Sequence, residues 1–210
     1  MIRVIAAALL LVFAGPMAMA ADEPPHRILG RDGNIELRLY APMILAEVEV
    51  TGSMRAAGNR GFRPLGNYIF GGNTARSGSG SDSIAMTTPV VQQRSQEIAM
   101  TTPVMQQATN GDSWRVAFVM PPEWTMDTLP VPDDARVELV EQPERLVAAI
   151  RFSGGANEAR FMAKTEELRD YLTDQGFEIV STAMYARYDP PWVPTPFRRN
   201  EVMFEVARSG

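Results

Sequence analysis

The residues able to do chemistry in this chain are few. Cysteine is absent and His26 is the single histidine. That removes disulfides, thiolate metal sites and a cysteine nucleophile, and it leaves no structured histidine for a Ser-His-Asp set. No HExxH, Gly-rich phosphate loop or EF-hand loop occurs. Carboxylates are abundant, but the leading pair, Glu36 and Glu138, read as solvent-facing strand residues. The densest chemical set runs from Tyr188 to Glu201. It holds Pro190, Pro191, Trp192, Pro194 and Pro196, followed by Arg198, Arg199 and Glu201. Proline fixes φ, so the segment is stiff. It is either the wall of a ligand pocket, with Glu201 or the arginines reading charge, or a rigid cover over a sheet.

An internal duplication supplies the elements that position these groups. Ile35 to Gly52 matches Val137 to Gly154, 102 positions later. Ile35-Glu36-Leu37 faces Val137-Glu138-Leu139, Val48 faces Ile150, Val50 faces Phe152, and Gly52 faces Gly154. Each block reads as a strand, a Pro-containing turn (Pro42, Pro143) and a second strand with period-two alternation. That alternation predicts that Val48, Val50, Ile150 and Phe152 all point into the core. A helix follows each block, from about 54 to 70 before Gly71-Gly72, and from about 157 to 175 before Gly176. Pro64 inside the first predicts a regular helix that begins near Gly61 or kinks there. Further strands are expected near Val90, over 98–107 and 114–120, then over 177–188 and 200–207. Residues 73–83 read as a surface loop. The fold class is therefore α+β: a duplicated β-β-α-β-β half, two copies of which form a curved antiparallel sheet or open barrel carrying two helices.

Composition bounds the setting. Arg3 precedes a short apolar run that ends at Phe13, Gly15 and Pro16 break the pattern, and Ala18-Met19-Ala20 has the small-x-small form of a cleavage site. Residues 1–20 are expected to be a removable signal peptide, and the mature chain a periplasmic or secreted protein starting at Ala21. Residues 21–33 read as a flexible tail, and 34–207 as one domain with halves at about 34–120 and 136–207. The net charge is −5, and loss of Arg3 makes the mature chain more acidic still. An acidic chain without a Lys/Arg cluster suits neither nucleic acid nor anionic lipid. No second long apolar run predicts membrane insertion after cleavage.

A second repeat is more specific. Ile84-Ala85-Met86-Thr87-Thr88-Pro89-Val90 recurs as Ile98-Ala99-Met100-Thr101-Thr102-Pro103-Val104. Around it lie Ile35 to Tyr40, Gly61-Phe62-Arg63, Tyr68 to Asn73, Phe118 to Pro121, Arg151 to Gly154, Tyr188 to Trp192 and Arg198 to Val202. In that order these motifs resemble the SOUL haem-binding protein family, as an exported bacterial member, over about 31–206. The resemblance implies a distorted β-barrel of two similar halves with two helices, related to the GyrI-like domains. It also implies a tetrapyrrole, haem or porphyrin, or a similar small apolar ligand. No family axial histidine maps onto this sequence, so the implied binding is weak and uses apolar contact plus pairing of arginine with propionate, without a metal-ion site. The residues it assigns are Met54 and Phe62 for the macrocycle, Arg55 or Arg63 (with Arg60) for the carboxylates, and Tyr68 and Trp192 beside them. A hydrolase or haem-processing enzyme on the same fold, and an envelope interaction module without a small ligand, are the alternatives.

Overall fold

The computed structural model describes residues 23–76, 103–109, 113–155, 157–189 and 192–208. The expected signal peptide, the strand near Val90 and all but the end of the doubled Ile-Ala-Met-Thr-Thr-Pro-Val repeat lie outside the described residues. In chain order the elements are β1 (His26–Asp32), β2 (Ile35–Tyr40), β3 (Met43–Thr51), α1 (Met54–Ile69), β4 (Asn73–Thr74), β5 (Val104–Ala108) and β6 (Ser113–Val119). There follow β7 (Val131–Pro132), β8 (Glu138–Gln142), β9 (Arg145–Ser153), α2 (Glu158–Asp174), β10 (Phe177–Ile179), β11 (Met184–Arg187) and β12 (Arg199–Arg208).

The duplication is visible in the strand order, β1-β2-β9-β12-β11-β5-β6-β3-β8. Each half pairs its second strand with its last, β3 with β6 and β9 with β12, and lends its first strand to the other half. The halves meet where β11 pairs β5. The sheet is strongly curled. Strands stack about 4.8 Å apart, so β9 and β3, five places apart, would lie roughly 24 Å from each other in a flat sheet. Instead Arg145 of β9 and Leu45 of β3 line one cavity.

Period-two alternation gives the sheet two unlike faces. Ala46, Val48, Val116 and Phe118 lie under Leu65, Tyr68 and Ile69 of α1. Ile150, Phe152, Val202 and Phe204 lie under Phe161, Leu168 and Leu172 of α2. Val48, Ile150 and Phe152 are buried, and Val50 packs half-buried against the same core, so all four face as the alternation predicts. The opposite, concave face gathers strand residues alone: Leu45, Met105, Ala117, Val147, Met184 and Met203 among them.

Local chemistry starts each helix in the same way. The matched Gly52 and Gly154 have φ of +120° and +105°, a region that only glycine enters freely. Ser53 and Asn157 then accept hydrogen bonds from the backbone of Ala56 and Arg160.

Three expectations are corrected. Residues 26–32 are not a loose tail but an edge strand on β2. The overlooked signal is Asp32-Gly33, a hairpin dipeptide, and Gly33 has φ +57°. The first helix begins at Met54, not Gly61, and runs through Pro64. An internal proline costs about 3 kcal/mol, but burial of Met54, Leu65, Tyr68 and Ile69 contributes about 1.5–3 kcal/mol each. The predicted strand 177–188 splits into β10 and β11, both laid on β12.

Candidate functional site

The outward stripe of α1 is polar and aromatic by turns. Arg55, Phe62 and the cap residue Phe70 recur about every seven or eight residues, two helical turns, and Arg63 adjoins Phe62. Arg55 and Arg63 are exposed; Phe62 is 42% and Phe70 60% exposed. Phe62 is not a free rotor. Its ring lies over Gly66, where an added Cβ would stand 3.6 Å from it, and meets Phe118 edge-on with centroids 5.3 Å apart. The helix therefore presents a fixed, exposed aromatic ring, with the exposed Arg55 two turns before it on the same face.

Two assigned residues are not on that surface. Met54 and Tyr68 are each 1% exposed, because the helix register turns them onto the sheet. Tyr68 donates to the Pro130 carbonyl at 2.9 Å, and Met54 joins the core under α2. Trp192 is 81% exposed, but it sits in the segment before β12, whose Thr195 packs 3.6 Å from the Cβ position of Gly155 in the second half. α1 packs on β3 and β6, in the first half. Arg55 and Phe62 thus share one face of α1 and Arg63 is exposed about 100° around the helix; Met54 and Tyr68 face the sheet instead, and Trp192 lies in the segment before β12.

Glu201 reads no ligand charge. It is fully buried and accepts from Arg38 Nη1 and Nη2 at 2.7 and 3.0 Å, from Arg199 Nη2 at 2.6 Å and from the Tyr188 hydroxyl at 2.6 Å. Burial pushes its carboxyl up, but the Arg38 and Arg199 guanidinium groups outweigh that and hold its pKa at about 2. Glu36, expected to face solvent, is half-buried and bonds Arg38 from the other side at 2.8 Å. Burial raises its pKa, Arg38 and Arg31 lower it further, and the net direction is down. A general acid needs a raised pKa, so this pair holds charge rather than protons. The end of the Tyr188–Glu201 segment is accordingly part of a structural network, extended by an ion pair of Arg199 with Glu23.

The concave face holds two adjoining cavities. One, of about 220 Å³, is lined by Leu45, Glu47, Gln107, Arg115, Gln142 and Glu205 among others. The other is about 10 Å³, room for a single water, between Tyr40, Met43, Pro103 and Met203. Arg145, Met105 and Met184 line both. Glu47 is paired with Arg115 at 3.2 Å; burial raises its pKa more than Arg115 lowers it. The sequence reading missed this face. Its one signal was a mismatch inside the repeat: Arg145 stands 102 residues after Met43, a charge where the matching strand carries an apolar residue.

The family model described as SOUL heme-binding protein matches residues 21–97 and 91–205. The chain belongs to the SOUL haem-binding family. Its curled half-barrel with two helices is the arrangement that the SOUL and GyrI-like resemblance implied. Among solved structures, this SOUL protein is similar to the C-terminal domain of EcmrR, at 10% identity and a TM-score of 0.58, over 83% of this chain and 98% of that one. It is also similar to a hydrolase from Listeria innocua, at 13% identity and a TM-score of 0.51, over 85% and 94% of the two chains. At such identities the likeness establishes fold alone. No curated protein matches the chain. Family membership supports a ligand-binding role.

The side chains fit one part of a haem and not another. Exposed arginines and an exposed aromatic ring are present on α1, the side-chain types that propionates and a macrocycle require. His26, the single imidazole, is committed elsewhere: its Nδ1 lies 2.9 Å from the Pro24 carbonyl and its ring packs 5.0 Å from Tyr40, at the β1–β2 edge. No iron ligand is therefore assigned.

Proposed function

We propose that this chain is an exported binding protein for a tetrapyrrole, or a similar flat apolar molecule with carboxylates, held on the outer face of α1 without covalent chemistry. The observation that carries this reading is the clamped, exposed ring of Phe62, with exposed Arg55 two turns away on the same helix face, exposed Arg63 next to it in sequence and Phe70 further along. A flat π-system gains by stacking on such a ring, and guanidinium groups bind carboxylates through charge-assisted hydrogen bonds. Export is supported by the short apolar run and the Ala18-Met19-Ala20 site; N-terminal sequencing of the mature protein is expected to return Ala21.

Titration with haemin and with metal-free protoporphyrin IX, followed by Soret shift and tryptophan quenching, tests the ligand. Both are expected to bind with similar, modest affinity that weakens with salt, because the arginines are exposed. Arg55→Glu or Arg63→Glu should weaken binding about fivefold, the scale of an exposed ion pair near 1 kcal/mol, whereas His26→Ala should leave it unchanged. Binding lost in His26→Ala but intact in the arginine variants would overturn the reading.

A further inference from the structure

The concave face contains a guanidinium that the described residues leave short of acceptors. The Arg145 side chain is 11% exposed, and its Nε is buried with no hydrogen-bond partner among the described residues. Nη1 lies 3.5 Å from Gln142 Oε1 and 4.0 Å from the Glu205 carboxylate, both beyond ordinary hydrogen-bond length. Burial pulls its pKa below the usual arginine value, more than Glu205 restores. Arg38, by contrast, is enclosed by Glu201, Glu36 and Tyr40. An underpaired buried charge is costly, and this one opens on the cavity of about 220 Å³ whose floor includes Met105, Met184, Leu45 and Ala117.

We propose that this groove is a second binding site, separate from the α1 surface, for a small amphiphilic carboxylate. Its acid group pairs with Arg145, and its hydrocarbon part lies on Met105 and Met184, whose flexible thioethers adapt to varied shapes. An anion is favoured over a cation because the groove's deficit is one of acceptors: Glu47 already has Arg115 at 3.2 Å, while the carboxylate paired with Arg145 among the described residues, Glu205, stands off at 4.0 Å. Size sets the class. The cavity of about 220 Å³ falls below the ~300 Å³ of a drug-sized site, a size that suits a short-chain or single-ring monocarboxylate better than a whole tetrapyrrole.

The test is titration of the mature protein with hexanoate, hexan-1-ol and hexylammonium, read by the methyl NMR signals of Met105 and Met184. Hexanoate is expected to shift both signals saturably, and to bind at least tenfold more tightly than the alcohol or the amine. Arg145→Gln should abolish that preference, and Arg55→Glu should leave it intact. Equal binding of the alcohol or the amine overturns the proposal, as does absence of any methyl shift with hexanoate. The comparison of ligand charge needs no variant, so it decides the matter even where Arg145→Gln fails to fold. Haemin binding on α1 is read separately by the Soret band, so failure of either site is distinguished from failure of the other.

Discussion

Glu201→Ala should unfold about 3–5 kcal/mol more easily than the parent, the cost of leaving a buried charge without its partner. At a slope near 2 kcal/mol/M for urea, the midpoint falls by about 1.5–2.5 M. Arg38 keeps Glu36 at 2.8 Å and Arg199 keeps Glu23, which places the loss toward the lower end of that range. The loss is largely recovered if the buried pair is made apolar together with the hydroxyls that touch it. Arg38→Met, Glu201→Leu, Tyr188→Phe and Tyr40→Phe leave Arg199 with one acceptor fewer, but Arg199 keeps Glu23, and buried ion pairs replaced in this way often fold as well or better. The quadruple variant should therefore recover most of the loss. A single substitution costing under about 1 kcal/mol would show that the network contributes little. Acid unfolding gives an independent reading. The folded pKa of about 2 lies below the ordinary glutamate value near 4.3. Its stabilisation is complete above about pH 5 and is lost as pH falls toward 2. Glu201→Gln should flatten that part of the stability curve.

Gly61→Ala should destabilise by about 1–3 kcal/mol, although alanine is the better helix former by about 1 kcal/mol. A Cβ at position 61 would stand 2.5 Å from Val116 Cβ and 2.6 Å from its Cγ2. That neighbour is the root of a β-branched side chain on β6, with no rotamer that clears the space, so α1 must lift from the sheet. Val116→Ala should not rescue it, because the clashing Cβ remains. Gly66→Ala is the control on the same helix. Its Cβ would meet the Phe62 ring at 3.6 Å, an ordinary contact, so it should gain up to about 1 kcal/mol. Opposite shifts in urea midpoint are expected for these two variants, the loss larger than the gain, and a stabilised Gly61→Ala would refute the close approach. The same lift would tilt the Phe62 ring, so Gly61→Ala should also weaken porphyrin binding.

Much of this architecture was legible in the residues. The 102-residue repeat carries the alternation of β3 and β9, the matched glycines that launch both helices and the core-facing set Val48, Val50, Ile150 and Phe152. Such features are local: period two, turn chemistry and caps act within a few residues, so they can be read without knowing what the chain packs against. The order of motifs added the family, and the exposed pair Arg55 and Phe62 followed from it.

What the tertiary structure alone decided was which polar groups meet. Arg38 and Glu201 are 163 residues apart, and their bond exists because β2 of one half and β12 of the other flank the same strand, β9. Met54 and Tyr68 fit the sequence pattern for ligand contacts until the helix register turned them to the core. Pro64 was a helix breaker by propensity, and burial on β3 and β6 overrode it. Arg145, Met105 and Met184 share a groove because the sheet curls enough to bring β9 and β3 together. Propensity acts between neighbours in sequence and fixes the elements; desolvation and pairing act between neighbours in space, and only the curled sheet makes those neighbours.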